Sequence, residues 1–481
     1  MNTEEPTATA PLPGAPAKFT TGSTLRHVVV MTATGSIGLI AIFIVDALNL
    51  FYISLLGVRE LAAAIGFATT IMFFTVSVAI GLTIATSAVV SRALGRGSRT
   101  DAAALGGASI LFMGLALGLI TACTWPFLNP LLALLGATGE TLSLSTRFLQ
   151  IVLPSAPLVA VGMATTGILR GTGDARRAMY VTLGSGLAAA VLDPLFIFGL
   201  DLGLDGAAIS TVLSRMIMVA IGLHGVLRVH RLLAMPDLRR LSAVARPYFA
   251  IGLPAVLTQL ATPVGNAYVT AEMAPFGDDA VAGWAIIGRI VPVAFGAIFA
   301  LSGAVGPILG QNFGARRYDR LLAVMRDSLI VTMIYVLAAW LLLALFRHHL
   351  ATLFGATAEA RQLIVFFCLF AAGSFLFNGA LFVSNAAFNN LGYPGYSTIF
   401  NWGRATLGTV PFVWLGANLY GAVGVVGGWA LGGVVFGIVS AVVCFRVVAR
   451  IGSQPPSGPP IPGPPPSANS PFTTGKAATA G

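Results

Sequence analysis

The 481-residue chain has very little charge: Asp, Glu, Lys and Arg make up 9% of its residues, and apolar types make up 56%. An ordinary soluble domain has roughly a quarter charged residues, so the composition excludes a soluble globular protein. Uncharged apolar stretches recur at, for example, 28–45, 102–126 and 329–346. Each is long enough to cross about 30 Å of hydrocarbon as a helix. The sequence therefore predicts an all-α integral membrane protein.

Cysteine and histidine are also scarce. The three cysteines, Cys123, Cys368 and Cys444, lie far apart inside apolar segments and show no disulfide or metal spacing. None of the five histidines has a Ser, Cys or acidic partner at the spacing of a catalytic motif. We therefore expect no catalytic residues, no bound metal and no cofactor, and a membrane enzyme is the least favoured class.

Both ends of the chain lack long apolar runs. Residues 1–26 are polar and rich in proline, without the basic start and apolar core of a secretory signal. Residues 451–481 are mostly Pro, Ser, Gly and Ala. Such segments bury too little apolar surface to order themselves, so both are predicted to be disordered tails.

Between the tails, apolar runs separated by Gly, Pro and charged residues predict twelve transmembrane helices. The predicted spans are 27–56, 61–92, 102–126, 141–170, 176–199 and 206–231 in the first half, and 247–276, 280–312, 321–346, 359–390, 396–417 and 422–449 in the second.

The Lys and Arg residues predict the orientation. Twenty of the 27 fall on the side of the two termini, four on the opposite side and three inside spans. Basic loops remain in the cytoplasm, so both termini are predicted to be cytoplasmic and the protein to lie in the plasma or inner membrane. The net charge of +10 reflects this topology, and we expect no nucleic-acid partner.

The two halves are related by a repeat of about 219 residues. Leu135 to Thr138 (LGAT) recurs as Phe354 to Thr357 (FGAT) at a spacing of 219, and Gly173 recurs as Gly392 at the same spacing. The repeat predicts six-helix lobes at 27–231 and 247–450, joined by a cytoplasmic linker at 232–246. Because each half has an even number of spans, their pseudo-twofold axis runs along the membrane normal, and such repeats place a substrate route between them.

Ionisable groups at membrane depth are costly and usually functional. Asp46 in the first span lies three residues before Asn49, on nearly the same helix face, so the two could share a proton or coordinate a cation. Asp193 precedes Pro194 in the fifth span. These residues predict a protonation switch in the first half; static hydrogen bonds, or an ion pair between Asp193 and Arg215, are the alternatives.

The second half has its own polar candidates. Glu272 lies near the outer end of the seventh span, and Arg289 and Arg404 lie inside the eighth and eleventh. Asn378 and Asn385 fall seven residues apart on one face of the tenth span. We expect these residues, with Arg215, to line the substrate cavity or to brace the lobes.

The chain resembles the multidrug and toxic compound extrusion (MATE) family over nearly its whole length between the tails. The resemblance rests on Val45-Asp46 followed by Leu56-Gly57, on LRGTGD at 169–174, VLDPLFIFG at 191–199, GAAIST at 206–211 and GQNFGA at 310–315. It implies a V-shaped pair of lobes and alternating access. It also implies a first-lobe cation site, onto which Asp46, Asp193 and Thr211 map.

The implied function is a secondary antiporter that exports cationic or amphipathic small molecules in exchange for protons. Sodium coupling is the alternative, but the family's usual Asn four residues before Asp193 is Ala189 here, which removes an oxygen ligand. The family's usual acid in the first helix falls at Asn49, one turn from Asp46. A lipid-linked precursor flippase is a second alternative. The expected partners are amphipathic substrates and membrane lipid, and we expect a monomer.

Overall fold

A computed structural model describes residues 17–54, 59–235 and 241–453, and this part of the chain is helical without any β-strand. The first half contains α1 (Thr24–Ser54), α2 (Arg59–Gly95), α3 (Arg99–Thr124), α4 (Leu128–Leu134), α5 (Gly139–Val152), α6 (Ala156–Thr172), α7 (Ala175–Pro194) and α8 (Gly203–Leu223). The second half contains α9 (Leu241–Met273), α10 (Asp278–Gly314), α11 (Tyr318–Leu353), α12 (Ala358–Leu369), α13 (Phe375–Leu391), α14 (Pro394–Ala405) and α15 (Val410–Gly452).

The described helices form eleven continuous apolar stretches long enough to span a membrane. The last stretch, Pro394–Gly452, has 59 residues and reverses direction at Tyr420 and Gly421, where the backbone leaves helical geometry. Gly421 has a φ of +59°, a conformation that glycine adopts without a steric penalty. The stretch therefore holds two crossings, and the prediction of an all-α protein with twelve spans is confirmed.

Several spans are interrupted by residues that break the helical ladder. Pro154 divides the fourth span at the 3-10 turn Leu153–Ser155 between α5 and α6. In α10, Phe295 has non-helical backbone angles three residues after Pro292. Proline has no amide hydrogen and its ring clashes with the preceding turn, which accounts for the break at Pro154.

We call the membrane side that carries Lys18 and Gly452 the terminal side, and the opposite side the far side. Apolar clusters toward the far side belong to one lobe each: one contains Ile71 and Leu149, and another contains Phe295 and Phe367. Clusters toward the terminal side combine both lobes, as where Tyr248 joins a cluster of first-half residues. The lobes are thus packed together at the terminal side and diverge toward the far side, in the V shape that the resemblance implied.

The described chain begins at residue 17, before the predicted boundary at residue 26. Lys18–Thr20 forms a 3-10 turn, Phe19 within it is buried, and α1 begins at Thr24. Of the predicted tails and the predicted linker at 232–246, residues 1–16, 236–240 and 454–481 lie outside the described residues. Helix α9 begins at Leu241, inside the predicted linker, and α15 extends to Gly452, two residues into the predicted tail.

Candidate ion-coupling site

The carboxyl group of Asp193 is buried between three helices of the first lobe. Asp193 lies in the last turn of α7, next to Pro194 and just before the π-helical segment Leu195–Gly199. Its side chain is only 1% exposed. Proline inside the helix removes a backbone hydrogen bond, so the segment departs from regular helix where the acid lies.

Two neutral groups hold the two carboxyl oxygens. Ser210 on α8 donates its hydroxyl to Oδ1 at 2.6 Å, and Asn49 on α1 donates Nδ2 to Oδ2 at 3.0 Å. Within the described part of the chain, Asp193 forms no ion pair. A carboxylate at this depth therefore has hydrogen bonds but no compensating cation, and a bound proton or metal cation would remove that cost.

The structure brings together some of the predicted first-lobe residues. Asn49 bonds directly to Asp193, whereas Thr211 donates its hydroxyl to the carbonyl of Ala207 in its own helix at 2.9 Å. Asp46 lies in α1 one turn before Asn49, and its side chain is outside the described residues. Ser210, which no sequence pattern singled out, lies beside the acid.

Arg215 bonds to neutral oxygens instead of Asp193. Its Nη1 donates to the carbonyl of Val152 at 3.0 Å and to the hydroxyl of Ser155 at 2.7 Å. Both acceptors lie at the break that Pro154 introduces between α5 and α6. Arg215 therefore satisfies oxygens at an interrupted helix, which leaves Asp193 without a basic partner among the described residues.

The predicted second-lobe residues do not converge on one point. Glu272 faces Tyr268 one turn earlier on α9, and Asn378 on α13 packs beside Gly433. The Oδ1 atom of Asn385 is buried without a hydrogen-bond partner in the described part of the chain. Arg404 donates Nη2 to Thr262 at 3.0 Å. The second lobe therefore has dispersed polar groups where the first has a compact site.

The loop before α7 fixes the start of the helix that carries Asp193. Asp174 caps α7 by accepting from the backbone amide of Arg177 at 3.1 Å, and it also accepts from the Arg177 guanidinium at 2.6 Å and from His230 at 2.9 Å. Burial opposes ionisation, but these hydrogen bonds outweigh it and hold the pKa of the Asp174 carboxyl well below its usual value. The charged cap stabilises the helix start.

The N-terminal segment helps to close the terminal side by bridging the lobes. The backbone amide of Phe19 donates to Oε1 of Gln311 at 2.8 Å, and Gln311 donates Nε2 to the carbonyl of Gly171 at 2.7 Å. Lys18 donates to the carbonyl of Gly173 at 2.7 Å, and Asn312 donates to the carbonyl of Phe19 at 3.1 Å. We call this set the terminal bridge.

A second link lies beside the terminal bridge. Arg92 on α2 donates Nε to the carbonyl of Asn390 and Nη2 to the carbonyl of Asn389, both at 2.9 Å, so one guanidinium ties α2 to the end of α13. All hydrogen bonds between described residues of the two lobes lie in the terminal-side halves of the helices. Access to the cleft is therefore from the far side in this conformation.

We expect Gln311→Ala to shift the protein toward a conformation open at the terminal side. The substitution removes two buried hydrogen bonds, each contributing about 1 kcal/mol, so the equilibrium between conformations should move by roughly tenfold or more. The distance between spin labels at the exposed positions Arg96 and Arg316, one in each lobe, would show a larger population of long distances. Gln311→Glu keeps the acceptor for Phe19 but loses the donor to Gly171, and should give an intermediate shift. An unchanged distance distribution in both variants would contradict this role for the terminal bridge.

A two-lobed membrane bundle with a buried acid in one lobe, closed on one side and open on the other, has the architecture of a membrane transporter. The MatE family model matches residues 36–195 and 254–415. The chain therefore belongs to the MATE family of multidrug efflux transporters, and it is a transporter and not an enzyme.

Individual relatives agree with this assignment. The chain is 30% identical over 430 residues to an FAD transporter of Shewanella oneidensis, covering 88% of this chain and 93% of the relative. It is 28% identical to the multidrug export protein MepA of Staphylococcus aureus, over 82% and 87% of the two chains. The crystal structure of a mutant of the Vibrio cholerae MATE transporter VcmN matches with a TM-score of 0.84 at 27% identity, covering 90% of this chain and 99% of that chain.

Proposed function

We propose that this protein is an antiporter that exports amphipathic small molecules in exchange for protons. The observation that carries the proposal is Asp193, a buried carboxyl group with two neutral hydrogen-bond donors and no cation beside it among the described residues. Protonation would neutralise the carboxylate and weaken the hydrogen bonds that it accepts from Ser210 and Asn49. A change in these bonds, which join α1, α7 and α8, would couple proton binding to movement of the lobe.

Proton coupling fits the site better than sodium coupling. Sodium needs several oxygen ligands, and hard cations of this kind are bound by carboxylates, carbonyls and amide oxygens. Asn49 presents its NH2 group to Asp193, and Ala189 supplies no oxygen. The two carboxyl oxygens of Asp193 already accept hydrogen bonds. Sodium-coupled export is the alternative outcome of the test below.

The orientation and the membrane are part of the proposal. The excess of Lys and Arg on the terminal side supports a cytoplasmic location for both termini, in the plasma or inner membrane. The described conformation then opens to the outside, which is the state that releases an exported molecule. The names of the relatives, one a multidrug exporter and one a transporter of FAD, support small organic molecules as substrates.

The test compares ion gradients in the same proteoliposomes. Purified protein should drive uptake or efflux of a fluorescent substrate such as ethidium when a pH gradient is imposed, and a sodium gradient at constant pH should have no effect. Nigericin, which dissipates the pH gradient in potassium buffer, should abolish the activity, and protein-free liposomes provide the background. Transport driven by a sodium gradient alone would show that sodium, and not the proton, is the coupling ion.

A further inference from the structure

Two arginines along the boundary between the lobes have no partner in the described part of the chain. Arg170, near the terminal-side end of α6, and Arg289, on α10, form no hydrogen bond or ion pair with any other described residue. A guanidinium carries five donors and stays charged at any physiological pH. Each is therefore a cation without a counter-ion among the described side chains, which do not include that of Asp46, at the place where a substrate would pass.

Arg170 lies at the wall of a small cavity between the lobes. The cavity has a volume of about 20 Å³ and is lined by residues of α1, α6, α7 and α10, including Gly38, Thr182 and Gly303. A Cβ atom added at Gly303 would lie 2.9 Å from Nη1 of Arg170. No carboxylate belongs to the described lining. The space holds about one water molecule, so this guanidinium becomes accessible to a larger molecule only when the lobes separate at the terminal side.

Arg289 lies on the same face of α10, further toward the far side. Gly296 and Ala300 of this face pack against Phe43 and Gly35 of the first lobe. Arg289 precedes Gly296 by seven residues, about two helical turns or roughly 10 Å along the helix. Phe295 leaves helical geometry between them, but Ile287 before it and Ile298 after it both pack in the second-lobe core, so the faces of α10 keep their phase. Its side chain is exposed, and a Cβ atom added at the residue before it, glycine 288, would contact nothing within 4 Å. Arg289 therefore projects where the lobes have diverged.

A third guanidinium in the second lobe has a spare donor. Arg404 lies ten residues into α14, about 15 Å from its start, and its Nε atom is buried without a partner among the described residues. Its side chain donates one hydrogen bond, to Thr262. An unpartnered charged donor at this depth is costly, and an anion would remove that cost.

We propose that the route between the lobes recognises the anionic group, a carboxylate or a phosphate, of an amphipathic organic substrate. Arg289 binds this group when the far side is open, and Arg170 binds it when the terminal side is open. A guanidinium matches both groups through paired hydrogen bonds. This inference rests on the proposed export function and adds amphipathic organic anions to its substrates.

The test uses two xanthene dyes of similar size and opposite charge, 6-carboxyfluorescein and rhodamine 6G. Binding to the purified full-length protein is measured by fluorescence anisotropy. We expect Arg289→Gln to raise the Kd for 6-carboxyfluorescein by roughly tenfold or more, as expected for loss of a charge-assisted hydrogen bond, without weakening rhodamine 6G. Arg289→Lys should restore part of the affinity. Arg147→Gln is the control, because Arg147 pairs with Asp205 on the far-side surface.

The other outcomes decide against the proposal. Equal Kd values for the anionic dye in wild type and Arg289→Gln would overturn it, as would equal weakening of both dyes or no binding of the anionic dye by wild type. Because Arg289 is exposed, the variants should fold, and retained rhodamine 6G binding with a single size-exclusion peak verifies this. If the anionic dye binds through Arg289 but no gradient drives its transport, the proposed function fails and the recognition site remains.

Discussion

Asp193→Asn is expected to reduce proton-driven transport to the background of protein-free liposomes. The amide has nearly the same shape as the carboxyl group, so the protein should fold and bind substrate. It cannot exchange a proton, and its own NH2 group opposes the donor that Asn49 presents at 3.0 Å. We expect a loss of roughly a hundredfold in gradient-driven rate, since one proton-transfer group typically contributes on that order or more. The measurement is initial dye flux in proteoliposomes under a fixed pH gradient.

Two neighbouring residues on α8 provide a matched comparison. Ser210→Ala removes the hydroxyl that bonds Asp193 at 2.6 Å and should shift the pH dependence of transport. Thr211→Val removes a hydroxyl bonded only within its own helix and should leave the pH profile unchanged. Unchanged flux in Asp193→Asn would reject this acid as the coupling group. A larger effect of Thr211→Val than of Ser210→Ala would indicate that Thr211 belongs to the cation site, as the family resemblance implied.

The twelve spans could be predicted because a membrane crossing is defined by composition over about 20 residues. The breaks inside the spans were harder to locate. Pro254 and Pro263 lie inside the continuous helix α9, so a proline alone does not mark a break. The eleventh span breaks between residues 405 and 410, in the turn before Pro411, where the proline ring opposes helix. There Arg404 and Thr409 are joined by a hydroxyl-to-carbonyl hydrogen bond of 2.8 Å, a local contact that hydropathy cannot indicate.

The candidate site was predictable only in part. Asp193 stands out in sequence because a charge inside an apolar run is rare, and Asn49 stands out through its spacing from Asp46. The choice between Ser210 and Thr211 depends on about 100° of helix rotation, which the sequence does not specify. The contacts of Arg215 illustrate the same limit, since its partners lie 63 and 60 residues away in the chain.

The last two crossings form a tight hairpin in the second lobe. The two parts of the hairpin approach through glycines, so that Gly416 faces Gly424 and Gly408 faces Gly432. A Cβ atom added at Gly432 would overlap the carbonyl oxygen of Gly408. Both contacting groups are backbone, so no side chain can rotate away. Small residues at such positions allow helices in membranes to pack closely.

Gly432→Ala is therefore expected to separate the hairpin and destabilise the protein by about 1–3 kcal/mol, the usual cost of overpacking. The melting temperature in detergent should fall, and the fraction of monodisperse protein should fall with it. Gly427→Ala is the matched control on the same helix, because its added Cβ would meet Phe366 at an ordinary 3.6 Å. An equal melting temperature for both variants would show that the hairpin tolerates a wider spacing. Arg404 lies at the base of this hairpin, so Gly432→Ala should also shift the position of its guanidinium.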